Sequence, residues 1–205
     1  MVSQTESIKS VDTKNRIFHA AAKLFANYGF ERVSIRQICQ AVGVQKPTLY
    51  YYFKDKETLI LEMLHFAHKL VVEYRNRYIE PHEDFLDKMW GLLQGRKHFV
   101  ENNPHFFRFY AMIHLFSTPE KVKQEMLRQM LPLLDDFKNL LLLGKQQGYI
   151  AAEEDTEIIM QTILGILNQL SIRKFVFQDE QAFSEENLQR VFNFWKKHLF
   201  LNRDK

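Results

Sequence analysis

Apolar residues recur at i, i+3, i+4 and i+7 along nearly the whole chain, and no stretch alternates with period two. The pattern predicts an all-α protein of about nine helices. Ile17, Ala20, Ala21, Leu24, Phe25 and Tyr28 mark a first helix over 13–28, ended by Gly29. Residues 1–11 are mostly polar and are expected to form a frayed arm. Ile35, Ile38, Cys39 and Val42 make one apolar stripe on a short second helix. Ser34 and Gln37 stand as its capping box, and Gly43 sits where a helix end wants a left-handed residue. After Val44-Gln45-Lys46, Pro47 suits the first turn of a third helix over 47–53. Asp55 then caps a fourth helix that runs to about 79 through Leu59, Met63, Phe66, Leu70 and Tyr74. Further helices are expected over 82–101, 104–116, 119–147 (with Pro132 as a kink), 156–177 and from 184 onward.

A short helix, a glycine turn and a second short helix form the pattern of a helix-turn-helix. Lys46, Thr48, Tyr50, Tyr51 and Tyr52 surround apolar Leu49 and Phe53. A structural turn would leave that rim unexplained. Against DNA, a hydroxyl can bond phosphate or a base edge, a ring can touch a thymine methyl, and an ammonium can reach phosphate or guanine.

Ile17 with AAKLFANYGF (21–30), followed by SIRQICQAVGVQKPTLYYYFKDKETLI (34–60), resembles the N-terminal domain of the TetR family of transcriptional regulators. The resemblance covers roughly the first third of the chain. It implies a DNA-binding head over 1–54 and a ligand-binding, dimerising body over 55–205. It also implies DNA contacts at Ser34, Arg36, Lys46, Thr48, Tyr50, Tyr51, Tyr52 and Lys56. Physically, Ser34 and Lys56 suit phosphate at helix N-termini, and Arg36 and Lys46 suit base edges. The implied function is a sequence-specific regulator, a homodimeric repressor on a palindromic double-stranded DNA operator. A helical carrier or interaction protein without DNA binding is the alternative.

Charge agrees with a DNA-binding head. Residues 1–56 hold nine Lys and Arg against four acids, net +5, and the remainder is net −2. A basic head could also rest on an anionic membrane, but its apolar stripes are used by the core. No run reaches the length of a membrane span and the opening residues are polar, so a soluble, cytoplasmic protein is expected. The single cysteine, Cys39, reads as a buried thiol or a redox sensor. His65 and His68 share a helix face, but no further ligand joins them at metal spacing, so no metal or other cofactor is expected. No phosphate loop, nucleophile elbow or paired acid–base carboxylates occur, and the expectation is a protein that is not an enzyme.

The 18 Phe are numerous enough to form either plain core or the walls of a cavity. A pocket for a small, largely apolar effector would be walled by Phe66, Trp90, Phe106, Phe109, Tyr110 and Met130. His114 or Asn168 would orient it. Asn168 stands in an apolar run and wants a partner, whether a ligand, a water or a neighbouring helix. The eighth helix looks apolar all round and calls for a second surface. Ile159, Ile163, Ile166 and Leu170, with Leu188, Val191, Phe192 and Trp195 of the ninth, are the expected dimer interface.

Overall fold

Local signals account for where most helices begin and end. The computed structural model describes the backbone of residues 4–112 and 119–200, and the side chains of 12–109 and 119–200. Its helices are α1 (Gln4–Tyr28), α2 (Ile35–Val42), α3 (Lys46–Tyr52), α4 (Lys56–Tyr78), α5 (Phe85–Asn102), α6 (Pro104–Met112), α7 (Glu120–Gln146), α8 (Thr156–Phe175) and α9 (Glu185–His198). A short 3-10 helix, Glu180–Phe183, precedes α9. Among the described residues there is no strand.

Two expected helix starts need correction, and one element is additional. The helix expected from residue 13 begins at Gln4, so the first residues are not all arm. Ile8 and Val11 continue the helical spacing, and neither Pro nor Gly interrupts it. α5 starts at Phe85 because the Asp84 carboxylate accepts from the amides of Leu86 (2.8 Å) and Asp87 (3.3 Å). The 3-10 turn was not foreseen; Asp179 caps it through the amide of Gln181 at 2.9 Å. α7 continues through Pro132. The last expected turn of α6 lies outside the described residues.

The chain packs as two compact units, Met1–Leu70 with Asn102–Arg128, and Val71–Glu101 with Gln129–Lys205. The first therefore extends beyond residue 54 and takes in α6. Its buried core joins Ile17, Phe18, Ala21 and Phe25 of α1 to Ile38, Leu49, Phe53, Leu59 and Ile60. Phe106 and Phe109 of α6 complete it. Each of these side chains other than Ala21 contributes about 1.5–3 kcal/mol by leaving water. The second core gathers Phe85, Met89, Leu93, Leu141, Ile163, Leu167, Leu188 and Trp195. At Gly91 a Cβ would stand 1.9 Å from the Tyr78 carbonyl oxygen, so α5 can cross the end of α4 only there as glycine.

α8 is two-faced in place. Ile159, Met160, Ile163, Leu167 and Leu170 are buried, whereas Ile158, Gly165, Asn168 and Ile172 face outward. Six of the eight residues expected at a dimer interface (Ile159, Ile163, Leu170, Leu188, Phe192 and Trp195) are core residues of this same chain. Ile166 and Val191 are half-buried. Helical periodicity identifies which residues avoid water, but not which surface covers them.

Candidate nucleic-acid interface

The helix-turn-helix is built as its local chemistry dictates. The Ser34 hydroxyl accepts from the Gln37 amide at 3.3 Å, and the Gln37 side-chain oxygen accepts from the Ser34 amide at 2.8 Å. This closes the capping box of α2. Gly43 takes the left-handed conformation, φ 75° and ψ 33°. The amides of Gly43 and Val44 both donate to the Cys39 carbonyl, at 2.9 and 3.0 Å. Pro47 sits in the first turn of α3, where Gln45 is the N-cap. Leu49 and Phe53 are fully buried and hold α3 to the core.

The outward side is then a consequence of what the core takes. Arg36 and Lys46 are exposed, as are Tyr50 (49 %) and Tyr51 (80 %), large rings that burial would ordinarily claim. Thr48 and Tyr52 are half-buried, and Tyr52 meets Tyr51 edge-on at 5.1 Å. From Val33 to Lys54 the chain has no Asp or Glu, so the surface is cationic with no internal neutralisation. Arg36, Cys39, Gln40, Gly43, Val44, Gln45 and Lys46 line an open concavity of about 560 Å³. Burial pushes the Cys39 thiol up, against a weaker pull from Lys46. That leaves it protonated and slow as a nucleophile.

Two basic residues have structural posts that spacing could not reveal. Lys56, expected at phosphate, donates to the carbonyls of Phe30 (2.8 Å) and Val33 (3.0 Å) and lies 4.1 Å over the Phe30 ring. Two of its three donors are thus committed to the loop before α2. Arg16 donates to the Val42 carbonyl at 2.7 Å and so ties α1 to the end of α2. These three bonds span 26, 26 and 23 residues, beyond the reach of any local motif.

Of the residues expected around an effector, Phe66, Phe106 and Phe109 belong to the first unit and Trp90, Met130 and Asn168 to the second. In the first unit Phe66 meets Phe18 (5.2 Å) and Phe106 (5.3 Å), and Phe109 meets Phe25 (6.2 Å). These rings pack α4 and α6 onto α1. In the second unit Trp90 stands 5.3 Å from Phe192, and Met130 is half-buried. Asn168 is exposed, so its amide is not a buried group in want of a partner. The side chains of Tyr110 and His114 lie outside the described residues. His65 is paired with Glu125 at 2.6 Å. Among the described residues no group of three His, Cys, Asp or Glu is placed to hold a metal, and no helix is long and apolar enough to cross a membrane.

Residues 17–63 match the family model of bacterial regulatory proteins, tetR family. This segment is a TetR-family N-terminal domain. Several distant relatives match most of the chain's length. The HTH-type transcriptional regulator YdgC of Bacillus subtilis is 23% identical over 167 residues, 80% of this chain and 81% of YdgC. The nucleoid occlusion factor SlmA of Vibrio cholerae is 22% identical over 172 residues, 83% of this chain and 87% of SlmA. Among solved structures, the transcriptional regulator FadR of Bacillus subtilis, in complex with stearoyl-CoA, superposes with a TM-score of 0.74 at 18% identity. That superposition covers 88% of this chain and 96% of FadR, and it is a likeness of fold. The helix-turn-helix is thus that of a TetR-family DNA-binding transcriptional regulator, and the helices that follow build the TetR-like fold.

Proposed function

We propose that the protein is a homodimeric repressor, acting in the cytoplasm, that holds a palindromic operator through its helix-turn-helix and is released by a small, largely apolar effector. The carrying observation is the acid-free surface of α2 and α3, where Arg36, Lys46, Tyr50 and Tyr51 stand exposed on a helix pair fixed by buried Leu49 and Phe53. A carrier without DNA would gain nothing from such a surface. One seven-residue recognition helix reads few bases, so two heads on two half-sites are needed for affinity and specificity. The second copy is expected on the outward face of α8, where Ile158, Ile172 and Val176 are apolar and exposed. An acyl-chain effector has a precedent in the fold, since the related FadR was solved with stearoyl-CoA. The effector would act by favouring a spacing of the two heads that fits the operator poorly, through its differential affinity alone.

In vitro selection from random duplex DNA, followed by titration of acyl-CoA esters and other apolar compounds, tests this. The expected result is an enriched inverted repeat, bound by a dimer and released by at least one compound class. A protein that binds all duplexes alike, with no enriched sequence, would sink the proposal.

A further inference from the structure

We infer that Gln45 and Gln40 are base-reading residues that recognise an A·T pair beside the base contacted by Arg36 or Lys46. The inference rests on the operator-reading function proposed above and names residues that neither the spacing nor the family resemblance had assigned. Gln40 follows Arg36 by four residues on α2, so both lie on one helix face. Gln45 precedes Lys46 at the mouth of α3, and these four polar side chains line the same concavity.

The chain's glutamines here are not equivalent. The side-chain oxygen of Gln37 is engaged in the capping box of α2, where it accepts from the Ser34 amide and hydroxyl. Gln45 caps α3 only through its backbone: its carbonyl accepts from Thr48 (3.0 Å) and Leu49 (3.3 Å), while its side chain makes no cap bond. The Cα of Gln45 is therefore fixed and its amide is available. Gln40 is likewise exposed.

The concavity lies between the C-terminal end of α2 and the N-terminal end of α3, and it sets the two glutamine amides beside Arg36 and Lys46. Glutamine amides present a donor and an acceptor together, the complement of adenine N7 and N6 in the major groove. Cys39 and Val44 supply apolar lining beside them, and a thymine methyl is the one apolar group on a base edge. Amide and apolar groups side by side thus fit both members of an A·T pair.

The test uses the full-length protein at one fixed salt concentration, with the selected operator and a panel of single base-pair replacements. Gln45→Ala and Gln40→Ala should each weaken the selected site by about tenfold or more, yet bind the site lacking that A·T pair almost as wild type does. Gln45→Glu should move the preference at that position from adenine towards cytosine, whose amino group a carboxylate accepts. Thermal melting should be unchanged, since both residues are exposed. Equal weakening on every sequence would make them phosphate contacts and overturn the inference, as would unaltered base preference. Either result leaves operator reading intact, because the wild-type selection tests that separately.

Discussion

Lys56 is a cation whose sequence neighbourhood reads as DNA contact and whose bonds read as architecture. Its ammonium bridges two carbonyls across more than 20 residues, and burial lowers its pKa against the opposing pull of Glu31. Lys56→Met keeps the aliphatic stem and deletes both bonds. It should destabilise the fold by about 1–3 kcal/mol, the scale of hydrogen bonds to a charged donor lost from partly buried acceptors. Denaturant melts measure that directly. A variant as stable as wild type, but weaker on DNA of any sequence, would mean that Lys56 serves phosphate instead. Arg16 and Lys56 together show why basic residues near a recognition helix cannot be sorted by type: what each one touches is set by segments remote in sequence.

Helix α1 meets α6 through rings and imidazoles. His19 stands edge-on to Phe106 at 5.0 Å and to Phe66 at 6.4 Å. Burial holds its pKa below the usual value. His105 is lowered first by burial and then by Lys23, His19 and Arg108, all of them basic groups. Both imidazoles therefore take a proton less readily in the fold than in the unfolded chain, whose histidines titrate near 6.5. Stability from this contact is complete above that pH and is lost as pH falls through it towards the depressed folded values. The melting temperature should drop between pH 7.5 and 5.5, and His19→Gln with His105→Gln should flatten part of that drop. A double variant with the wild-type pH profile would place the acid sensitivity elsewhere; half-buried His68, also lowered by burial, is the next candidate.

For the whole molecule, the proposed homodimer requires a surface that receives the second copy. The outward face of α8 offers Ile158, Gly165, Ile172 and Val176, and a Cβ built on Gly165 would meet nothing within 4 Å. Ile158→Glu with Ile172→Glu should give a folded monomer in sedimentation, with helical signal retained, because both side chains are about half exposed in the single chain. Leu188→Asp, at a fully buried position, should instead unfold the protein. It leaves a carboxylate without water, at a cost of about 3 kcal/mol or more once the lost packing is added. Dimers that survive the double glutamate variant would rule out the α8 face.

Much of this molecule is decided within a few residues of each point in the chain. The capping box at Ser34, the left-handed Gly43, Pro47 opening α3 and Asp55 capping α4 are local bargains between side chain and backbone. They were legible in the sequence, as were the all-α class and the helix-turn-helix with its exposed Tyr50 and Tyr51. Partnership was not legible. That Trp195 and Leu188 fill the chain's own core, that Asn168 faces outward, and that Phe66 and Phe106 pack onto α1 while Trp90 packs on Phe192 follow from how helices settle against one another. An apolar stripe states that a surface must be covered, and only tertiary packing decides by what.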